Sequence, residues 1–326
     1  MATALSTLFS PVILFFVLGA LAGLARSDLS IPEQIGKGLS LYLMAAIGLK
    51  GGVGVAEAGR DPLMLPTAAA GILLSFLLPV VAFGLLRTAG RLSALDAGAI
   101  AAFYGSVSVV TFVTGVAVLS EDGVGPVGWM VAVMALKETP GIVAGLLLAR
   151  GSLGHLPQRA NLEGVGQHSI WREVLLNGPV VLLVGSFAIG LVVGKPGYQP
   201  VDPFFDGIFR GVLCLFLLEM GLMASRRLRE TRTLTPTLAG LAVLIPVLNA
   251  GIGLGTAALL GLSGDTATAF VILCASASYI AAPAALSLAL PRANIALGLA
   301  MSLAITFPFN ILVGIPLYAW AVEAWL

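Results

Sequence analysis

The chain is short of charge. Charged residues make up 10% of its 326 positions, seventeen basic and sixteen acidic, where a soluble domain carries about 25%. That shortage excludes a water-soluble globular protein, and a net charge of +1 with no basic stripe excludes a nucleic-acid partner, which needs lysines and arginines against phosphates. Cysteine is nearly absent as well. Cys214 and Cys274 both lie inside apolar runs and read as small buried hydrophobes rather than a disulfide or metal pair. The two histidines, His155 and His168, share one polar loop without metal-ligand spacing. With no histidine in an apolar run, an intramembrane enzyme lacks its usual base or metal cluster. Met1 to Ser10 has no basic stretch and no small-residue cleavage site follows, so no cleavable signal peptide is expected.

Long apolar runs are abundant instead. Hydrophobic residues reach 58%, and a run of about 20 such residues crosses a bilayer as a helix. Punctuation by charge, proline and glycine gives ten spans: Leu8–Ala25, Gly38–Val55, Leu63–Leu86, Ala94–Ser120, Gly128–Ala149, Val174–Val193, Phe204–Ala224, Thr235–Leu260, Thr266–Leu290 and Ile295–Ala321. The reading is an all-α integral membrane protein of ten transmembrane helices. Residues 1–150 form one five-helix unit, 151–172 a polar cytoplasmic linker and 173–326 a second five-helix unit.

The two units share landmarks in the same order. Phe16-Val17-Leu18-Gly19 and Ile47-Gly48-Leu49 answer to Phe187-Ala188-Ile189-Gly190 and Met220-Gly221-Leu222, and Glu138-Thr139-Pro140-Gly141 answers to Thr306-Phe307-Pro308-Phe309. An odd number of crossings per unit sends the second copy in from the opposite face, an inverted repeat. Basic residues set the orientation. Arg26, Lys37, Arg87, Arg91, Arg150, Arg159, Arg172, Arg226, Arg227, Arg229, Arg232 and Arg292 fall on one side, against Lys50, Arg60, Lys195 and Arg210 on the other. The positive-inside rule places the first set in the cytoplasm and both termini outside a cell (inner) membrane. The cluster Arg226–Arg232 reads as orientation and contact with anionic lipid.

Spans four and nine carry matching interruptions. Phe103-Tyr104-Gly105-Ser106-Val107-Ser108-Val109-Val110-Thr111 and Cys274-Ala275-Ser276-Ala277-Ser278-Tyr279 hold a Ser-x-Ser pair at an offset of 170 residues. Paired broken helices in two halves mark the binding site of a secondary transporter. New half-helices are expected near Val109, with Ser106, Ser108 and Thr111 available as caps, and near Pro283. Each start offers free N–H groups and about half a positive charge, which suits a small oxyanion. The ends of the preceding half-helices offer carbonyls, which suit a cation such as Na⁺. The competing reading is tight helix packing through small residues; symmetric placement in over-long spans favours a site.

Ionisable groups inside spans are functional by default. Lys137 and Glu138 lie about ten residues into span five, hence ~15 Å deep. Glu138 is a candidate cation ligand. Lys137 either lends positive charge to the anion pocket or neutralises a carboxylate. Thr306 in span ten is a further candidate, with Asn249 and Asn310 as other polar residues at depth.

At these residues the chain resembles the SbtA-type sodium-dependent bicarbonate transporter family. The likeness runs through Ile47 to Gly52, Asp96 to Thr111, Glu138-Thr139-Pro140, Asp206 to Gly211, Met220-Gly221-Leu222, Ala275 to Pro283 and Pro291 to Asn294. It implies bicarbonate between two crossing broken helices, Na⁺ beside it, a homo-trimer and, in cyanobacterial members, a PII-like regulator. Carried onto this chain, the anion role falls on Gly105, Ser106, Ser108, Ser276 and Ser278, and the cation role on Glu138. Three features depart from the family pattern. Tyr279 stands where an acidic residue is usual, Lys137 adds a charge, and the short linker argues against the regulator. The expected function is bicarbonate uptake by Na⁺ symport. The alternatives are another small anion with Na⁺-independent or proton-coupled transport, and a non-transporting sensor or intramembrane enzyme.

Overall fold

A computed structural model describes residues 10–59, 61–119, 125–151, 178–231 and 233–326. His155, His168, Arg60, Arg159, Arg172, Arg232 and the linker 152–172 lie outside the described residues. The helices, in order, are α1 (Pro11–Leu24), α2 (Glu33–Ala58), α3 (Met64–Thr88), α4 (Ala94–Gly105), α5 (Val109–Leu119), α6 (Met130–Gly151), α7 (Gly178–Tyr198), α8 (Phe209–Glu230), α9 (Pro236–Leu260), α10 (Gly264–Ala275), α11 (Ala281–Ala289) and α12 (Ile295–Trp325). No strand occurs among the described residues. Among the described residues seven segments are long and apolar enough to cross a membrane, the broken α4–α5 pair counting as one of them; α1 and α10 are shorter apolar helices.

Local chemistry sets the helix starts. Ser10 accepts from the Ile13 amide ahead of Pro11, Ser93 from Asp96, Thr235 from Leu238 ahead of Pro236, and Asn294 from Leu297, each satisfying an amide that the first turn leaves without a partner. Pro79, Pro140 and Pro246 sit inside α3, α6 and α9. Membrane helices tolerate this because neighbours rescue the freed backbone groups; beside Pro140, the Ser75 hydroxyl donates to the Lys137 carbonyl at 2.9 Å.

Several boundaries differ from those read in the sequence, and α2 starts at Glu33 rather than Gly38. Residues 203–207 form a π turn after Pro203, so α8 starts at Phe209 rather than Phe204. The same helix continues past Ala224 to Glu230, which places Arg226, Arg227 and Arg229 on a helix instead of in a loop; arginine has high helix propensity, and these residues stay exposed. The last span reaches Trp325, not Ala321, with π turns at Ala300–Thr306 and Asn310–Gly314 on either side of Pro308. A proline without an N–H breaks the regular ladder, and π geometry absorbs the register change.

The helices pack in two groups. In one, α1 crosses α8 and α2 crosses α7; in the other, α6 lies on α3 and α4 while α9 lies on α10. Glycines set the first pair of crossings. A Cβ at Gly19 would overlap the Leu218 backbone, one at Gly221 the Phe16 carbonyl, one at Gly48 the Leu183 carbonyl and one at Gly190 the Leu49 carbonyl. Small residues let backbones approach where lipid provides no hydrophobic drive between helices. The second group encloses α4 and α10, whose residues from Ala97 to Gly105 and from Ala267 to Ala275 are buried on every face.

Candidate functional site

Both interruptions are real breaks in the helices. α4 ends at Gly105, Ser106 is extended (φ −84°, ψ 176°), and α5 begins at Val109. α10 ends at Ala275, Ser276 is extended (φ −75°, ψ 158°), and α11 begins at Ala281, two residues before Pro283. The earlier start follows from Ser278, whose hydroxyl accepts from the Ala282 amide at 3.2 Å and so satisfies the first turn without the proline. Ser108 does the same for α5, accepting from the Thr111 amide at 3.1 Å. The preceding half-helices close alike, Ser106 N–H on the Ala102 carbonyl at 3.1 Å and Ser276 N–H on the Ile272 carbonyl at 2.9 Å.

The breaks touch each other. The Ser108 amide donates to Ser276 Oγ at 3.0 Å, and the Ser278 amide donates to the Phe103 carbonyl at 2.8 Å. Gly105, Ser106, Ser108, Thr111, Ser276 and Ser278, the residues expected to bind an anion, are therefore gathered at one crossing, all buried. Helix α6 closes it from the side: Gly141 sits so tightly that a Cβ would overlap the backbone of Gly105 and Ser106. Two buried hydroxyls here have no hydrogen-bond partner, those of Ser106 and Thr111, and the Tyr279 hydroxyl lies against Ser108. Tyr279 packs its ring edge-on against Phe307 at 5.3 Å and was not among the sequence candidates. A buried hydroxyl without a partner is costly in an apolar setting, and the two of Ser106 and Thr111 at one crossing are donors with no protein acceptor.

Lys137 and Glu138 are 1% and 5% exposed, both in mid α6. Adjacent helical residues point about 100° apart, and the two side chains do separate. The Lys137 ammonium reaches the Gly71 carbonyl at 3.4 Å and Cys274 Sγ at 3.8 Å, with the Phe270 ring centroid at 6.0 Å. Glu138 makes no hydrogen bond or ion pair with any described residue. It precedes Gly141 by one helical turn and so shares the face that meets the first break.

Thr306 is placed differently. Its hydroxyl lies 2.9 Å from the Tyr104 hydroxyl and donates to the Ala242 carbonyl at 2.6 Å, tying α12 to α4 and α9. Both of its hydrogen-bonding roles are engaged within the protein. The carbonyls expected at the half-helix ends are engaged too: Asn249 Nδ2 donates to the Tyr104 carbonyl at 3.4 Å and Asn310 Nδ2 to the Ala275 carbonyl at 3.0 Å. An asparagine inside an apolar run was the available signal for these two, but nothing in the sequence paired either one with its carbonyl.

A cavity of about 600 Å³ opens between α2, α5, the start of α6 and the start of α8, lined among others by Ile47, Lys50, Phe112, Val113, Val131 and Arg210. Lys50 pairs with Asp206 at its rim. Val113 is five residues beyond Ser108, or ~8 Å along α5. Among the described residues no cluster of His, Cys, Asp and Glu could hold a metal ion.

Apolar spans and two interrupted helices whose breaks touch have the build of a multi-pass membrane protein. The family model of the Na⁺-dependent bicarbonate transporter superfamily matches residues 11–323, and the chain belongs to that superfamily. It is accordingly a transporter and not an enzyme. No curated protein matches the chain at a significant level.

Proposed function

We propose that the protein takes up bicarbonate by secondary active transport coupled to Na⁺, with alternating access around the crossing of the two breaks. The observation that carries this reading is the pair of buried, unpartnered hydroxyls on Ser106 and Thr111, with the Tyr279 hydroxyl nearby, beside two helix starts whose first-turn amides are held by serine hydroxyls. Bicarbonate is small, flat and singly charged, and its oxygens suit hydroxyl and helix-start donors in a site that excludes water. Glu138, buried without a partner one turn from Gly141, is the group to hold Na⁺. Na⁺ here is cargo, bound and released in each cycle.

The proposed architecture is ten spans in two inverted units, 1–150 and 173–326, joined by the cytoplasmic segment 151–172. Support comes from contacts that exchange when the halves are swapped. α1 on α8 and α2 on α7 are such a pair, as are the matched closures at Ser106 and Ser276 and the matched caps at Ser108 and Ser278. On the orientation given by the basic residues, the cavity at Lys50 and Arg210 faces outward and is the entry vestibule. A group of helices that slides or rocks against the other then exposes the crossing to each side in turn.

The test is uptake of labelled bicarbonate into proteoliposomes under an inward Na⁺ gradient, with nitrate, formate and sulfate as competitors. Accumulation that bicarbonate alone competes away supports the reading. Equal competition by another oxyanion reassigns the substrate, and no accumulation rejects it.

A further inference from the structure

The geometry of Lys137 points to a second element of the same site, resting on the bicarbonate reading above. We propose that the Lys137 ammonium is a built-in counter-cation for the bound anion, so that bicarbonate occupies the crossing without Na⁺, and Na⁺ at Glu138 governs only which loaded states cross the membrane.

An ammonium at this depth calls for a carboxylate or a set of close oxygens, and Lys137 has neither. Its contacts are a carbonyl at 3.4 Å, a thiol at 3.8 Å and a ring centroid at 6.0 Å, all of them neutral groups. It makes no ion pair with a described residue, and Glu138 leaves the helix in another direction. The positive charge therefore meets neutral groups and a helix end, with no carboxylate among its contacts. Its location is specific: Cys274 and Phe270 belong to the last turns of α10, where the helix dipole is negative, and Cys274 is two residues before Ser276 of the crossing.

Carbonyl oxygens at the half-helix ends meanwhile each accept one hydrogen bond from a neutral donor of the protein, which leaves one lone pair apiece. The Phe103 carbonyl accepts from the Ser278 amide, the Tyr104 carbonyl from Asn249, the Leu273 carbonyl from Ser276 Oγ at 3.1 Å and the Ala275 carbonyl from Asn310. Tyr279 contributes a neutral hydroxyl. Half-used carbonyls and a neutral hydroxyl, with no carboxylate among them, hold a sodium ion weakly, whereas an anion at the crossing finds a countercharge tethered at Lys137. One arriving anion adds a negative charge to the site, which a cation at Glu138 offsets at the conformational step.

Bicarbonate titrations of the purified protein, followed by thermal unfolding in choline and in sodium salts, read this directly, since a ligand stabilises the state it binds. The expected result is a bicarbonate-dependent rise in melting temperature in both salts, with midpoints that differ by less than about threefold, below the usual ~5–150-fold of coupled sites. Lys137→Gln should weaken bicarbonate in choline by about tenfold or more, with partial recovery on adding Na⁺, and Lys137→Arg should keep the parent behaviour. A bicarbonate effect in the parent protein that appears only with Na⁺ overturns this inference and leaves the carrier reading intact. So does an unchanged choline midpoint in Lys137→Gln. No bicarbonate effect in either salt removes the bicarbonate reading and this inference with it. If Lys137→Gln does not fold, the two-salt comparison on the parent protein decides alone.

Discussion

Replacing Ser276 with alanine tests whether the two breaks brace each other. Ser276 Oγ accepts from the Ser108 amide at 3.0 Å and itself donates to the Leu273 carbonyl at 3.1 Å. Ser108 is 3% exposed, so its N–H cannot turn to bulk water when the acceptor is removed. An orphaned buried donor costs about 1–3 kcal/mol. The released Leu273 carbonyl faces a smaller penalty, because a carbonyl with two lone pairs is less demanding than a stranded N–H. The expected destabilisation is thus about 1–3 kcal/mol, measured by denaturant or thermal unfolding in detergent micelles. Ser278→Ala is the matched comparison: it deletes the cap on α11 and should cost about 0.5–2 kcal/mol without touching the Ser108 amide. A loss below about 0.5 kcal/mol for Ser276→Ala, the size of an ordinary surface change, would refute the bracing argument. It would mean that the breaks are held by the surrounding helices alone.

Two further substitutions follow from the same geometry. Glu138→Gln removes an unpartnered buried carboxylate, so the protein should be at least as stable as its parent while the effect of a Na⁺ gradient on uptake disappears; a Na⁺-driven rate within about twofold of the parent's would show that the cation is held elsewhere. Gly141→Val should fail to yield monodisperse protein by size exclusion, because its side chain falls on the Gly105 and Ser106 backbone, whereas Gly38→Ala, with nothing within 4 Å, should gain up to about 1 kcal/mol from helix propensity. A well-folded Gly141→Val would show that α6 can stand off from the break.

The spans and their interruptions were legible in the chain because their causes are local. A run of apolar residues closes its own hydrogen bonds only as a helix in lipid, and Gly105-Ser106-Val107-Ser108 combines poor helix formers with side chains that compete for the backbone. That is why α5 begins at Val109 as expected, and why the serines of both breaks could be named together. The π turns around Pro308 and the continuation of α8 to Glu230 were less legible, since a proline or an arginine run marks a change without stating its geometry. Partnership is another matter. Asn249 meets the Tyr104 carbonyl across 145 positions of sequence, Thr306 meets Tyr104 across 202, and Lys137 turns to Cys274 rather than to its neighbour Glu138. Those pairings follow from which helices cross and at what height, which is set by the glycine contacts and by packing over the whole body. The sequence alone determined that this chain lives in a membrane and carries two matched breaks. Only the tertiary structure decided which donors at the crossing are engaged and which hydroxyls and charges are left over, because a hydrogen bond is settled by distances between segments that the order of residues does not contain.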